Sequence, residues 1–495
     1  MDERVIFLQL LLNQQRFERV SAQFFHHFNK KNYEDALRWA EIAGSCAWFT
    51  HPGFYMHQEI EEGLHNIGYN LDSVDVNFSW CLPRNIGQGR KWLHVLTAAY
   101  TTGGHTRLAE RWMTSSSDDD IHSFILLDQD AEIPNWLIAA SQKTGGSYIV
   151  LPSEMGFMEK AKVLRNISRD WADIIVLHIH PNNALCSVAF SENEGPPVMF
   201  VNHASLCFWY GVGVSDVVLD MGLQDQKLTI SQRRSKNNKL LPLPLNIPDL
   251  KQPLRFYKEK LGLDPGSVVM LTSAPGYKYR PYEHLNFQNT MIDILNRSQN
   301  KNVILVVLGV DSHDINWREA IEKTGGRIKV MGLQKDVFPY YGAADFYLES
   351  FPFGSFTASL EAAAMGKPIV SAPMPISPYL VLGPIDGKAE NAESMENYIA
   401  LVEAYIHDVK FRIDSAELQR KSVTATHLGT AWREKIKNIV EDMPKNHRVG
   451  FLIEKQNDNN QDVNKLNHVL SCLQPIQGNF NLLSGTLNKW LNRHL

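Results

Sequence analysis

The chain has 495 residues, 44% of them hydrophobic and 21% charged, and its 49 Lys and Arg against 54 Asp and Glu leave a formal net charge of −5. That is the composition of an ordinary globular protein, and it excludes nucleic-acid binding driven by bulk positive charge. At roughly 100–200 residues per domain, the length points to about three folded units.

In chain order, MDERVIFLQLLLNQQRF opens with two acids before a short apolar run and has no small-residue cleavage site, so it reads as neither a signal peptide nor a membrane span. Residues 1–86 are expected to form a helical domain, because FERVSAQFFHHFNKKNYEDALRWAEIAGSCAWF spaces its apolar groups near the helical period. NYEDALRWAEIA resembles one helix of a tetratricopeptide-type hairpin, but no repeat of about 34 residues follows it. Phe24, Phe25, Phe28, Trp39, Trp48 and Phe49 read as a packed core rather than an acceptor groove.

Residues 87–248 are expected to form a first Rossmann-like domain. RKWLHVLTAAYTTGGHTRLAERWM is a strand, a glycine turn and a helix, in which Gly103 and Gly104 let the backbone approach a ligand while His105 and Thr106 stand at the helix start. His105 reads either as a general base or substrate contact, or as a cap on its own helix. HSFILLDQD, GSYIVLP, ADIIVLHIHP and PPVMFVNHA supply further strands, the last ending on His203, a second base candidate that Asn202 could orient. The HIHP pair, His178 and His180, reads as ordinary sheet edge, since no further metal ligand lies in sequence range. Arg233, Arg234 and Lys236 begin the joining segment SQRRSKNNKLLPLPLNIPDLKQP, either as a solvated loop or facing a diphosphate, and LPLPLNIP reads as an extended linker.

Residues 249–445 are expected to form a second Rossmann-like domain. SVVMLTSAPGYKYRP, NVILVVLGV and RIKVMG are β-branched runs that end in Gly- or Pro-containing loops, the pattern of a doubly wound parallel sheet. Further on, AADFYLES reads as a strand, GSFTASLEAAAMG as a helix launched from the turn at Gly354, Ser355, Phe356 and Thr357, and PIVSAP as the next strand. The Ser355 and Thr357 hydroxyls and the free N–H groups of the first turn suit a phosphate, and Glu361 one turn later suits ribose hydroxyls. Asp128-Gln129-Asp130 therefore reads as a strand-end acidic pair and not as a metal-binding DxD, because the phosphate-binding features lie in the other domain. Residues 446–495 read as a polar linker, EKQNDNNQDVNKL, and an apolar tail. The five cysteines, Cys46, Cys81, Cys186, Cys207 and Cys472, are odd in number and never spaced as CxxC, which suggests free thiols in a reducing cytoplasm and no structural zinc.

From Leu250 to Met443 the chain resembles the donor-binding domain of a GT-B glycosyltransferase. More narrowly, GSFTASLEAAAMGKPIV resembles the nucleotide loop of the O-linked N-acetylglucosamine transferase family, which includes the bacterial cytoplasmic N-glycosyltransferases. That family sets a His-Thr-Thr helix start against the diphosphate and an acidic residue four positions after the first Thr against the ribose. Thr357 and Glu361 match, whereas Phe356 and Ala358 stand where the family has its His and second Thr. GYKYRP resembles the loop that supplies a diphosphate-binding Lys, a role this carries to Lys278, with Tyr277 beside it. By the same resemblance, backbone groups near Val330 to Leu333, Gly332 and Leu333 among them, take a uracil base. VNHASLCFWYGVGVSDVVLDM is similar to a segment of bacterial GT-B sugar transferases in which an Asn-His pair leaves a strand toward the cleft. Retaining GT-B enzymes usually carry two glutamates eight positions apart, but counting back from Glu361 reaches Phe353, which favours inversion.

The resemblance implies an α/β GT-B fold, two Rossmann-like domains facing a cleft, with an N-terminal α-helical domain. It also implies a cytoplasmic, metal-independent enzyme without a resident cofactor that moves a sugar from a UDP-sugar. The expected partners are that donor and a protein or glycan acceptor, with no nucleic acid and no integral membrane segment. A protein side chain is the acceptor the family suggests; a glycan or lipid-linked acceptor fits the same fold, as does a sugar-nucleotide epimerase. A helical adaptor carrying a degenerate transferase is the non-enzymatic alternative.

Overall fold

The computed structural model describes residues 3–83, 89–101, 104–192, 194–311, 313–374 and 390–443. Gly103 and the expected linker and tail at 446–495 lie outside the described residues. The strands are β1 (Lys91–Leu96), β2 (Ile121–Leu126), β3 (Tyr148–Val150), β4 (Ile174–His178), β5 (Val198–Asn202), β6 (Val217–Asp220), β7 (Asn238–Leu240), β8 (Val268–Ser273), β9 (Val303–Leu308), β10 (Ile328–Val330), β11 (Phe346–Leu348), β12 (Ile369–Ser371) and β13 (Glu390–Asn391).

These strands build two parallel sheets, ordered β3-β2-β1-β4-β5-β6-β7 and β10-β9-β8-β11-β12-β13. In each, the chain winds away from its first strand to one side, then crosses back and winds to the other. The loops that leave β1 and β4, and those that leave β8 and β11, therefore diverge and open a crevice at the carboxyl ends of the strands, where ligands of such sheets bind. The continuous apolar runs, such as IIVLH of β4 with every residue buried, are what strands covered on both faces require.

That order corrects the reading of HIHP as sheet edge. β4 lies in the sheet's interior, in parallel register with β1 (Leu96 opposite His178) and with β5. His178 is consequently buried at the crevice rather than at a margin.

The chain divides into two compact units, one of residues 1–241 with 433 onward, the other Pro242–Trp432. In the first, the helices Glu3–Asn29, Tyr33–Phe49 and Gln58–Gly68 bring Phe24, Ala40 and Leu64 into the same core as Val95 of β1 and Leu177 of β4. Asn32 caps the helix Tyr33–Phe49, accepting from the Asp35 amide, with Glu34 and Asp35 in the first turn favouring its positive end. Glu34 reaches further, accepting the amides of Phe157 (2.8 Å) and Met158 (3.1 Å) at the start of the helix Phe157–Trp171. Gly156 permits this, since a Cβ there would lie 3.2 Å from a Glu34 carboxylate oxygen. In the second unit, Met270, Leu305, Phe346 and Val370 of the sheet pack with Tyr279, Phe287 and Trp317.

Candidate active site

At the carboxyl end of β8 the chain makes a single 3-10 turn, Gly276–Tyr279. Tyr279 anchors it: the ring is fully buried edge-on to Phe287 (4.9 Å) and Trp317 (5.2 Å), and its hydroxyl shares a 2.9 Å hydrogen bond with Thr272. With Tyr279 held inward, half-buried Lys278 turns toward the loop after β11, where its Nζ donates to the Gly354 carbonyl at 2.6 Å, and its own carbonyl accepts the Phe353 amide at 3.3 Å. Tyr277 is 41% exposed at the surface of the turn. Burial pulls the Lys278 ammonium below its usual range, and the Glu349 carboxylate opposes that shift.

Glu349, which sequence reasoning did not single out, is the organiser of the β11 loop. It is 1% exposed, and it accepts the amides of Ser350 (2.9 Å) and Ser355 (2.5 Å) and the Ser359 hydroxyl. Burial raises its pKa, while Ser359, Ser355 and Lys278 act in the opposite sense. The Ser355 amide is thus already committed, and the ladder of anion-binding donors starts one residue later than expected. The amides of Phe356, Thr357 and Ala358, at the head of the helix Phe356–Ala364, have no acceptor among the described residues. Thr357 is half-buried beside them, and Glu361 is 7% exposed on the inner side of the helix. Gly332 follows β10 with φ +71° and accepts the Gly309 amide at 2.8 Å, while the Ala274 amide donates to Leu308, so the loops after β8, β9 and β10 are tied in series. Leu333 is 78% exposed next to them.

Replacing Glu349 by Leu strands two loop amides, at a cost of roughly 2–6 kcal/mol. The expected result is a lower urea midpoint, with Glu349→Gln losing less because one carbonyl oxygen remains to accept. Equal losses in the two variants would show that the carboxylate does not latch the loop.

The crevice of the first sheet holds imidazoles. His105, in the first turn of the helix Gly104–Ser115, meets the His178 carbonyl at 2.7 Å through Nε2. A carbonyl can only accept, so Nε2 carries the proton and Nδ1 keeps the lone pair. His203 meets the Val201 carbonyl at 3.2 Å through Nδ1, which leaves its Nε2 basic. The His105 ring lies 4.8 Å from that of His203 and 5.6 Å from that of His180. Burial, reinforced for His180 and His203 by neighbouring imidazoles, lowers all three, His180 to about 4 and His203 well below its usual value. The three rings are neutral near pH 7, and burial makes each a weaker base than a free imidazole.

Other expected contacts resolve differently. Gly104 faces open space, since a Cβ there would meet nothing within 4 Å. Thr106 is buried and its hydroxyl accepts the Tyr100 amide at 2.9 Å, so it braces the loop instead of facing a ligand. Asn202 does not orient His203; its amide donates to Asp220 at 2.5 Å and to Thr229 at 3.3 Å. Arg233 is neither solvated nor turned to a diphosphate. It is fully buried, donates to the carbonyls of Ser205 (2.5 Å) and Cys207 (2.6 Å), and lies over the Trp209 ring. Among the described residues no group of three or more His, Cys, Asp or Glu is placed to hold a metal ion, and no helix is long and apolar enough to cross a membrane.

No protein-family model matches the sequence, and no curated protein matches it significantly. Solved structures do match. HepE from Anabaena, crystallised with UDP and glucose, aligns with a TM-score of 0.55 at 14% identity over 72% of this chain and 100% of its own. A glycosyltransferase from Rickettsia africae gives 0.54 at 14% identity over 72% and 98%. A mutant O-GlcNAc transferase from Thermobaculum terrenum gives 0.51 at 13% identity over 87% and 82%. The two Rossmann-ordered sheets are therefore those of the α/β GT-B fold, the fold of these glycosyltransferases.

Proposed function

We propose that the protein is a GT-B glycosyltransferase that moves a sugar from a UDP-sugar to an acceptor hydroxyl or amide, with inversion and without a metal ion. The observation that carries this is the pairing at the second sheet's switch point. A lysine ammonium is fastened to the Gly354 loop, and three amides at the head of the following helix have no acceptor among the described residues. Together they form a cationic cradle for a diphosphate. HepE, which has the same fold, holds UDP and glucose in its structure.

In this reading the diphosphate lies against Lys278 and the amides of Phe356, Thr357 and Ala358, Glu361 takes the ribose, and the Gly332–Leu333 turn takes the base. A neutral imidazole, His105 through Nδ1 or His203 through Nε2, accepts the acceptor's proton. The freed lone pair forms the new bond at the anomeric carbon from the face opposite the leaving group. The bond to the diphosphate breaks with both electrons remaining on UDP, where Lys278 and the helix amides neutralise the added charge. The free thiols of Cys46, Cys81, Cys186 and Cys207 fit a cytoplasmic location.

A thermal-shift panel of UDP, GDP, ADP and CMP, with and without magnesium, tests the donor site. A ligand at a hundred times its Kd stabilises the native state by about 2.7 kcal/mol. UDP is expected to raise the melting temperature equally in both conditions. A shift with none of the nucleotides would remove the donor site and favour a binding adaptor. Release of an epimerised sugar from donor alone would replace transfer with epimerisation.

A further inference from the structure

The first unit contains a cavity of about 1000 Å³ at the carboxyl ends of β1 to β4, roofed by one face of the helix Tyr33–Phe49. The roof residues recur at helical spacing, from Glu34 and Arg38 through Glu41 and Ser45 to Trp48 and Phe49. Several lining groups are already occupied in building it. Glu34 holds the amides of Phe157 and Met158, Arg38 pairs with Asp35, and Lys160 donates to the Leu127 carbonyl. Gln129 clamps the loops after β1 and β2 by accepting the Ala99 amide at 2.7 Å and donating to the Ala99 and Ala131 carbonyls.

The lining also has two chemical characters. One is flat and aromatic: Trp48 and Phe49 stack on each other at 4.6 Å and 19°, and Tyr100 stacks on His180 at 5.8 Å and 10°. The other is acidic, from Glu41, Asp128, Asp130 and Glu154. Burial and the nearby Asp128 raise Glu41 to about 8, so near neutral pH it can both donate and accept.

We propose that this cavity binds the acceptor and that the acceptor is a neutral saccharide. A pyranose ring offers an apolar C–H face to an aromatic wall and a fan of hydroxyls to carboxyl groups around its edge, which is the division found here. A phosphorylated or carboxylated ligand would meet Asp128, Asp130 and Glu154, with Arg38 already paired to Asp35 and Lys160 engaged by the Leu127 carbonyl. An extended peptide finds strand ends here and no sheet edge to pair with. The cavity's floor is His180, in ring contact with His105, so a hydroxyl bound there lies beside the proposed bases. That last consequence rests on the transfer reading, whereas saccharide binding does not.

Saturation-transfer NMR on the full chain, without donor, tests the assignment. The probes are neutral methyl glycosides, lactose and N,N′-diacetylchitobiose, set against glucuronic acid, glucose 6-phosphate, decyl phosphate and short Ser-, Thr- and Asn-containing peptides. At least one neutral saccharide is expected to bind, and Trp48→Ala and Glu41→Gln are each expected to weaken it about tenfold, the scale of one strong contact. Unchanged melting temperatures certify the variants' fold; Tyr100→Ala and Asp128→Asn serve if either fails that check. No neutral saccharide binding at millimolar concentration, binding only of an acidic or peptide probe, or saccharide binding indifferent to these substitutions would each overturn the proposal. A UDP shift without saccharide binding removes this assignment and leaves the donor site. Saccharide binding without a UDP shift does the reverse.

Discussion

Lys278→Ala is expected to lower kcat roughly 10²–10³-fold, the usual cost of removing one group that meets charge developing in the transition state. An ammonium has three donors, and only one is given to the Gly354 carbonyl. The other two, in a half-buried position where charge is weakly screened, are available to a departing diphosphate. Truncation has a second consequence. It frees the Gly354 carbonyl and loosens the loop that presents the amides of Phe356, Thr357 and Ala358, so UDP affinity should fall as well. Lys278→Arg separates the two effects. Guanidinium restores the charge, but its planar fork does not reproduce the compact ammonium contact with Gly354, so partial recovery of kcat with weak UDP binding is expected. The measurement is kcat together with the UDP thermal shift for both variants, with a urea midpoint to certify the fold. Wild-type turnover and affinity in Lys278→Ala would show that the diphosphate does not bind at this turn.

The parts of this site that could be read from sequence are those whose chemistry is local. Lys278 lies five residues beyond the strand that aims it, and Thr357 lies in the first turn of its own helix, so each follows from a strand, a turn and a spacing. Glu349 lies in the same stretch, but its burial does not follow from its position alone, since an acid just after a strand normally faces water. The signal was present in its company: ESFPFGSFTAS supplies two amides and a serine hydroxyl within ten residues, enough to satisfy a buried carboxylate. The histidine crevice is a different case. His105, His180 and His203 come from three separate segments, and only the strand order brings them together. Without that order, HIHP resembled an edge, and Thr106 and Asn202 could not be told from ligand contacts, since the direction of a polar side chain depends on what is folded against it. Trp48 and Phe49 read as core for a related reason. Helical periodicity marks which face turns inward but not whether that face meets packed side chains or a cavity.

Acidification should destabilise the first unit. His94, His122 and His178 lie on three neighbouring strands with no solvent exposure, joined Nδ1 to Nε2 at 3.0 Å between His94 and His178 and at 2.9 Å between His94 and His122. A neutral imidazole has one donor and one acceptor, so three of them can bond head to tail without any charge in the core. Burial holds His122 down to about 3 and the other two well below their usual values, and His105, His180 and His203 are lowered too. In the unfolded chain each titrates near 6.5, so below that pH the unfolded state binds protons the native state refuses, and stability falls as pH falls. Glu41 and Glu61 work in the opposite sense. Raised to about 8 and about 7, they favour the native state at low pH and lose that contribution as pH rises from the ordinary carboxylate range. Asp225, raised to about 6, and Asp220 and Glu110, also raised by burial, act with them, while His57 is a further lowered imidazole. The lowered imidazoles outnumber the raised carboxyls, so below pH 6.5 unfolding should take up protons and stability should fall as pH falls. Each proton taken up on unfolding costs about 1.4 kcal/mol per pH unit, a sizeable fraction of a typical stability of about 5–15 kcal/mol. Urea titrations from pH 5 to 7.5 read the slope directly, and His122→Phe, which keeps a ring stacked on Trp92, should reduce it by about one proton. A flat profile below pH 6.5 would mean that the native histidines are already charged, and the neutral chain across β2, β1 and β4 would then be the wrong account of this core.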